Sequence, residues 1–417
     1  MQRLLVEGGR PLQGTVSVSG AKNAVLKLMA AALLGDGKFI IRNVPAIKDV
    51  FTMIGVLKAL GVKCQLEGST LYLTVGDIQG EAPAELVQEM RASIQIMGPL
   101  IAKLGWVKIS QPGGCPIGDR PIDLHVKNLE KLGAIFEEGY GYISAKAKRL
   151  VGTELCLDFP SVGTTENIMM AATLAVGTTI IHNAAREPEI IDAQNFLNRM
   201  GARVFGAGTG TITIKGVKAL SSTDYTVIPD RIEAGSYLVA AAITGGKLRI
   251  QNIIPKHLTA LIGKLQEANV KLDIASDQII VQGQDTIYPA NILTLPYPGF
   301  ATDLQPQFMA LATLANGTSV VKETVYSNRF GHAHELRRMG AEIIVDGNAA
   351  VIKGVKQLAG AHLYATDLRA GAALVLAGLS ATGITSITGV EHIERGYENL
   401  VEKLQLVGGK IWREDEV

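Results

Sequence analysis

The sequence predicts an α/β protein of two similar domains, each assembled from three copies of one unit, and three observations predict it. A helix-like segment ending in a hinge residue recurs six times, at Gly61, Gly133, Gly201, Asn269, Gly340 and Gly408, with spacings of 68 to 72 residues. Each copy is followed by alternating apolar residues, as in Val62-Lys63-Cys64-Gln65-Leu66 and Ala341-Glu342-Ile343-Ile344-Val345, a period of two that reads as strand. An Ala-rich apolar helix keeps the same beat, ending at Gly37, Gly105, Gly177, Gly246, Gly317 and Gly383, usually with a β-branched strand after it. A chain of 417 residues is also too long for one ordinary core.

Each element has a local cause. Gly or Asn at the hinge suits a helix C-terminus, where the residue often takes φ > 0. The Ala-rich helices are apolar nearly all round, so they belong inside, with the amphipathic hinge helices outside them. A period near 70 residues is too long for a thin solenoid. Three units per domain put the break near Tyr225-Thr226-Val227-Ile228-Pro229-Asp230. The expected domains are 1–20 plus 229–417, and 21–228. The strand Leu4 to Glu7 and the run Gly14-Thr15-Val16-Ser17-Val18 precede the first unit. Their expected partner is the second domain, because the sixth unit reads as lacking a closing strand.

A polar cluster precedes each buried helix. The clusters are Ser19-Gly20-Ala21-Lys22-Asn23, Met90-Arg91-Ala92-Ser93, Ser161-Val162-Gly163-Thr164-Thr165, Pro229-Asp230-Arg231-Ile232-Glu233, Ala301-Thr302-Asp303-Leu304-Gln305 and Ala365-Thr366-Asp367-Leu368-Arg369. Ser, Thr and Asp there are ordinary N-caps. Lys22, Arg91, Arg231 and Arg369 are not, because a cation in the first turn opposes the helix dipole. Two readings stand: solvated charges, or a shared anionic ligand held by helix N-termini and cations.

The stretch Gln111-Pro112-Gly113-Gly114-Cys115-Pro116-Ile117-Gly118-Asp119-Arg120-Pro121 is too rich in Gly and Pro for helix or central strand. Cys115 is thus expected on an exposed loop. A thiol near Arg120 is biased towards thiolate, a better nucleophile and proton carrier. The bland reading is a surface loop with an incidental cysteine.

Other features bound the function. A net charge of +1 marks no general nucleic-acid or membrane surface. The opening MQRLLVEGGR lacks a signal-peptide h-region, and no apolar run approaches the roughly 20 residues that span a bilayer. Three widely spaced cysteines make neither a disulfide framework nor a zinc site, and a reducing cytoplasm fits best. Cys64 reads as core and Cys156 as structural. Gly206-Ala207-Gly208-Thr209-Gly210 lacks a following helix and reads as a hairpin turn rather than a dinucleotide loop. His332 and His334 lie two apart on a helix and do not face one metal. Arg329 and Arg395 lie in breaks between elements, as binding loops would.

The Lys22-Asn23 cluster, the Cys115 loop through His125 and Asn183-Ala184-Ala185-Arg186-Glu187-Pro188-Glu189-Ile190 resemble the bacterial UDP-N-acetylglucosamine 1-carboxyvinyltransferases. So do the Asp230, Asp303 and Asp367 clusters and Asn328-Arg329-Phe330. The resemblance runs in order along essentially the whole chain. The cysteine loop separates this family from its relative, 5-enolpyruvylshikimate 3-phosphate synthase. The resemblance implies an inside-out α/β barrel in two domains of three βαβαββ units each, the enolpyruvyl transferase fold, with the active site in the cleft between them. It implies transfer of the enolpyruvyl group of phosphoenolpyruvate to the 3-hydroxyl of UDP-N-acetylglucosamine, with release of phosphate, as the first committed step of peptidoglycan synthesis. No metal, cofactor or obligate protein partner is expected.

By the same resemblance, Lys22, Arg120 and Arg395 meet the phosphate of phosphoenolpyruvate, with Arg91 nearby. Arg329 and Arg369 meet its carboxylate or support closure. Cys115 delivers a proton to the methylene carbon and forms a covalent adduct, and is the thiol that the epoxide fosfomycin alkylates. Asp303 takes or orients the proton of the sugar hydroxyl, and Asp367 assists. Asn23, Pro121, Asp123, Leu124, Ser161, Val162, Gly163 and Val325 line the nucleotide-sugar site. Phe159 stands where some members carry Lys, so a charged contact is expected to be missing. Thr165-Glu166 also varies between subgroups. The alternatives are a transferase acting on shikimate 3-phosphate, or an inactive nucleotide-sugar sensor of the same fold.

Overall fold

The computed structural model describes residues 2–110, 122–139, 141–326 and 328–415. They form two compact units, residues 20–228 and residues 2–19 with 229–415. Each unit carries three small sheets and three helices that are buried nearly all round.

The repeat is clearest around residue 180. Strand Glu154–Cys156 lies parallel to Thr178–His182, which is antiparallel to Thr211–Lys215, itself antiparallel to Arg203–Phe205. Between these strands run the buried helix Val162–Ala172 and the outer helix Pro188–Arg199. The alternation sets the faces: Leu155, Ile181, Val204 and Ile212 are core.

Two exchanges close the repeats. Strand Gln2–Glu7 runs antiparallel between Ile384–Thr388 and Lys410–Asp415, with Leu4 opposite both Ile387 and Arg413. The sixth unit therefore does end in a strand of its own, contrary to the sequence reading, and Gln2–Glu7 fills the hairpin position beside it. Gln13–Ser17 precedes the Lys22 helix in the chain but pairs in parallel with Lys247–Gln251. Conversely, Leu220–Ser221 and Asp224–Thr226 precede the Arg231 helix but pair with Gly35–Arg42. Each half of the chain thus supplies the opening strand of the other half's first sheet.

The buried helices are Lys22–Ala32, Met97–Leu104 and Val162–Ala172 in one unit, and Arg231–Ile243, Gln305–Ala312 and Leu368–Ser380 in the other. The last three touch one another. Small residues let backbones approach: a Cβ on Gly98 would meet the Asn167 carbonyl oxygen at 2.4 Å, and the Gly98 N–H donates to Asn167 Oδ1 at 2.7 Å.

The hinge residues take positive φ as expected, from 68° at Asn269 to 103° at Gly201. The second set of glycines behaves differently. Only Gly105 is a left-handed cap at its helix end. Four of the other helices stop earlier and tighten, as where Thr173 and Ala175 donate to Met170 and Ala172, whereas Arg231–Ile243 ends through left-handed Gly245, with Gly246 N donating to Ala241 O. These i→i+3 bonds use up the last carbonyls, so Gly37 falls inside strand Gly35–Arg42 and Gly177 at the entry to Thr178–His182.

Candidate active site

In the unit containing residues 229–415, three buried helices begin with an aspartate. Asp230 caps Arg231–Ile243, its Oδ1 accepting from Ile232 N at 2.7 Å and Glu233 N at 3.1 Å. Asp367 caps Leu368–Ser380, its Oδ1 accepting from Arg369 N at 2.8 Å and Ala370 N at 3.0 Å. These two follow the ordinary N-cap rule. Asp303 occupies the matching place, in the 3-10 turn Thr302–Leu304, and turns instead to two buried arginines.

Arg329 Nη1 donates to Asp303 Oδ1 at 2.7 Å, and Arg369 donates to Asp303 Oδ2 through Nη2 at 3.0 Å and Nε at 3.2 Å. Arg329 and Arg369 are 4% and 3% exposed, so neither guanidinium is a solvated surface charge. Burial works to lower their pKa values, but Asp303 together with Asp367 at Arg329, and with Tyr397 and Asp230 at Arg369, outweighs it and holds both above the usual arginine value. Arg369 also lies over the Tyr397 ring, whose hydroxyl pairs with Ser236 at 2.8 Å and accepts from Gln307 at 3.0 Å. Val325 is half-buried after strand Thr318–Lys322, and Arg395 is half-buried in the turn after Val390–Ile393.

The other unit begins its helices differently. Ala21 provides no side-chain cap, and Lys22, the first helical residue, places Nζ 2.7 Å from Asp49 Oδ2. Met90 provides none for the 3-10 helix Arg91–Ile96. Ser161 Oγ accepts from Thr164 N at 3.3 Å, so Ser161 caps Val162–Ala172. Gly163 lies against Gln95 and His125: its carbonyl accepts from Gln95 Nε2 at 3.0 Å, and a Cβ there would meet the His125 ring at 3.5 Å. Asp123 opens helix Asp123–Lys131, where a carboxylate suits the dipole, and Leu124 follows half-buried.

The first-turn cations therefore have partners that the sequence did not reveal. Asp49 neutralises Lys22, Asp303 neutralises Arg369, and Arg231 lies over the Tyr297 ring at 5.7 Å. Cys115, Arg120 and Pro121 lie outside the described residues. The readings of Cys64 and Cys156 divide: Cys64 packs on the core, where burial pushes its thiol up to about 11, whereas Cys156 is exposed. The strand alternation causes this, since Leu155 takes the inward place. Residues 206–210 do form the turn between two antiparallel strands. His332 is buried beside Met309 Sδ at 3.1 Å and its pKa falls to about 4 through burial, while His334 is exposed.

Sequence reading missed several supports. His125 is buried against Asn167 at 3.0 Å, and burial, with the nearby Arg91, pushes its pKa down to about 3. Asn167 in a helix interior was the available signal, because Asn disfavours that position without a tertiary partner. Lys27 donates to Asn23 O at 2.6 Å and lies 3.4 Å from the buried Glu166 carboxylate. Glu323, fully buried, accepts from both Thr294 and Thr302.

A fold of this kind, with paired cations and carboxylates at the helix starts of two three-sheet units, is that of the enolpyruvyl transferases. Over 99% of the chain it superposes on the enolpyruvyl transferase NikO from Streptomyces tendae, with a TM-score of 0.90, 26% identity and 98% of that chain covered. It superposes on EPSP synthase from Acinetobacter baumannii with a TM-score of 0.79 and 20% identity, over 100% of both chains. The chain belongs to the family described as EPSP synthase (3-phosphoshikimate 1-carboxyvinyltransferase), which matches residues 6–404. Within that family it is 54% identical over 411 residues to UDP-N-acetylglucosamine 1-carboxyvinyltransferase 1 of Caldanaerobacter subterraneus, covering 99% of each chain. It is also 54% identical over 416 residues to UDP-N-acetylglucosamine 1-carboxyvinyltransferase 2 of Carboxydothermus hydrogenoformans, again covering 99% of each.

Proposed function

We propose that the protein is an enzyme that transfers the enolpyruvyl group of phosphoenolpyruvate to the 3-hydroxyl of UDP-N-acetylglucosamine, releasing phosphate, at the first committed step of peptidoglycan synthesis. The observation that carries this reading is the 54% identity, along 99% of the chain, to relatives named for that reaction. Likeness to EPSP synthase structures at 20% identity supports the fold and not the shikimate acceptor.

The chemistry is an addition followed by an elimination. The acceptor hydroxyl oxygen bonds C2 of phosphoenolpyruvate while a proton reaches C3, and the hydroxyl proton leaves to a base. Phosphate then departs from C2 as a methyl proton is lost, restoring the double bond. Asp303 is the proposed base, or orients the hydroxyl. Arg329 and Arg369 hold its two oxygens in place by charge-assisted hydrogen bonds. Cys115 is the proposed proton donor and adduct-forming thiol. Lys22, Arg120 and Arg395 are assigned to the phosphate with Arg91 nearby, Arg329 and Arg369 to the carboxylate or to support of closure, and Asp367 to assistance at the reacting centre. Asn23, Pro121, Asp123, Leu124, Ser161, Val162, Gly163 and Val325 are assigned to the nucleotide sugar. Phe159, 40% exposed, offers that nucleotide no charge.

The test is phosphate release from phosphoenolpyruvate by the purified chain, with UDP-N-acetylglucosamine or shikimate 3-phosphate as acceptor. Release with the nucleotide sugar alone, abolished by fosfomycin, is expected. Release with shikimate 3-phosphate alone would overturn the acceptor. Tight nucleotide-sugar binding without release would mean a sensor.

A further inference from the structure

Glu323 follows strand Thr318–Lys322 and is 0% exposed. A carboxylate so buried is costly unless donors surround it, and four do. Its Oε1 accepts from Thr294 Oγ1 at 2.6 Å, Val325 N at 2.8 Å and Tyr326 N at 3.1 Å. Its Oε2 accepts from Thr302 Oγ1 at 2.9 Å. Thr302 Oγ1 in turn accepts from Arg329 Nη1 at 2.9 Å, and the same nitrogen donates to Asp303 Oδ1 at 2.7 Å.

The order of donors gives this chain a direction. A threonine hydroxyl has one proton and two lone pairs. The Thr302 hydroxyl donates its one hydrogen bond to Glu323 Oε2, so its lone pairs face Arg329. The Arg329 nitrogen is then shared between one hydroxyl and one carboxylate oxygen. Through Oε1 the same carboxylate fixes the amides of Val325 and Tyr326.

We propose that Glu323 is a positioning residue, which through the Thr302 hydroxyl orients Arg329 on Asp303 and through the backbone fixes the Val325 segment. Its catalytic consequence rests on the assignment of Asp303 and Val325 to the acceptor sugar. Glu323 itself touches no reacting atom.

The test contrasts shape with chemistry at one position. Thr302→Val keeps the shape and loses the hydroxyl, whereas Thr302→Ser keeps the hydroxyl and loses the methyl. Turnover with UDP-N-acetylglucosamine is expected to fall at least about tenfold in kcat for T302V and to stay within about threefold of the parent for T302S. Glu323→Gln, which turns an amide donor towards a hydroxyl or backbone donors, is expected to fall at least as far as T302V, with Glu323→Asp partly restoring it. Full activity in T302V with a loss in T302S would show that packing alone matters and would overturn the proposal. Hydrogen exchange at the Val325 and Tyr326 amides gives a readout independent of turnover. Protection is expected to drop about tenfold or more in Glu323→Ala, which leaves the two amides no side-chain acceptor, and to hold in T302V. Unchanged protection in E323A would refute the backbone part. If the parent chain releases no phosphate with this acceptor, the functional reading fails, and the exchange result still decides whether Glu323 fixes the segment.

Discussion

The two units begin their buried helices in opposite ways, although they repeat one topology. In the unit containing residues 229–415, aspartates at 230, 303 and 367 stand at the three starts, two as caps and one between arginines. In the unit containing residues 20–228 the matching residues are Ala21, Met90 and Ser161, and only Ser161 caps with its side chain. One unit satisfies two of its helix N-termini with its own carboxylates. The other places Lys22 and Arg91 beside N-termini with no side-chain cap, and Asp49 stands 2.7 Å from Lys22. The proposed reaction needs both kinds of chemistry, a carboxylate for a hydroxyl proton and cations for phosphate.

The sharpest way to break this comparison is at Asp303. Asp303→Asn keeps the side-chain shape and removes the charge. Turnover is expected to fall roughly 10²–10⁴-fold, the usual range for a positioned base. A steady-state phosphate-release assay checks it, and near-parental kcat would strip Asp303 of the proposed role.

Arg369 comes next. Arg369→Lys keeps a cation but loses the paired Nε and Nη2 contacts to Asp303 and the stacking over Tyr397. A loss of at least about tenfold in kcat/KM is expected. Parental kinetics would show that any cation serves there.

The pH dependence of stability sharpens the comparison in another way. Burial, offset in part by Lys27, raises Glu166 from 4.5 to about 7. Burial likewise raises Glu233 from 4.5 to about 7, and Asp192 from 3.8 to about 7. Such groups bind more protons folded than unfolded above their ordinary values. These three groups therefore take stability away as pH rises from about 4.5 to about 7, opposed below about 6.5 by His125 and His332, whose pKa values burial lowers to about 3 and about 4. Urea midpoints of the parent and of single variants between pH 4.5 and 8.5 separate the two contributions. Asp192→Asn keeps an acceptor for Tyr225, whose hydroxyl donates to Asp192 Oδ1 at 2.7 Å. This variant is expected to gain stability at pH 8 and little at pH 4.5. Equal shifts at both values would mean that Asp192 is ionised throughout.

The caps carry the smallest effects. Asp230→Ala loses two backbone acceptor contacts and is expected to cost about 1 kcal/mol, with Ser161→Ala near the lower end of the cap range, about 0.5 kcal/mol. Chemical denaturation measures both, and a larger cost at Ser161 would reverse the contrast between the units.

What could be read from residues alone was whatever depends on near neighbours in the chain. Six hinge residues announced six helix ends, because a helix terminus is a local backbone event. Alanine-rich runs announced buried helices, and period-two alternation announced strands. The first-turn positions of Lys22, Arg231 and Arg369 were legible for the same reason. Tertiary structure decided what depends on contacts across long separations. It supplied Asp49 to Lys22 and Asp303 to Arg329 and Arg369, partners lying 26 to 66 residues away in the chain. It set Gln13–Ser17 beside Lys247–Gln251 and not beside the helix that follows it. It also buried Glu323, an ordinary residue at the end of a strand by sequence, among four donors. A buried charge survives only where such donors converge, and convergence is a property of the folded chain.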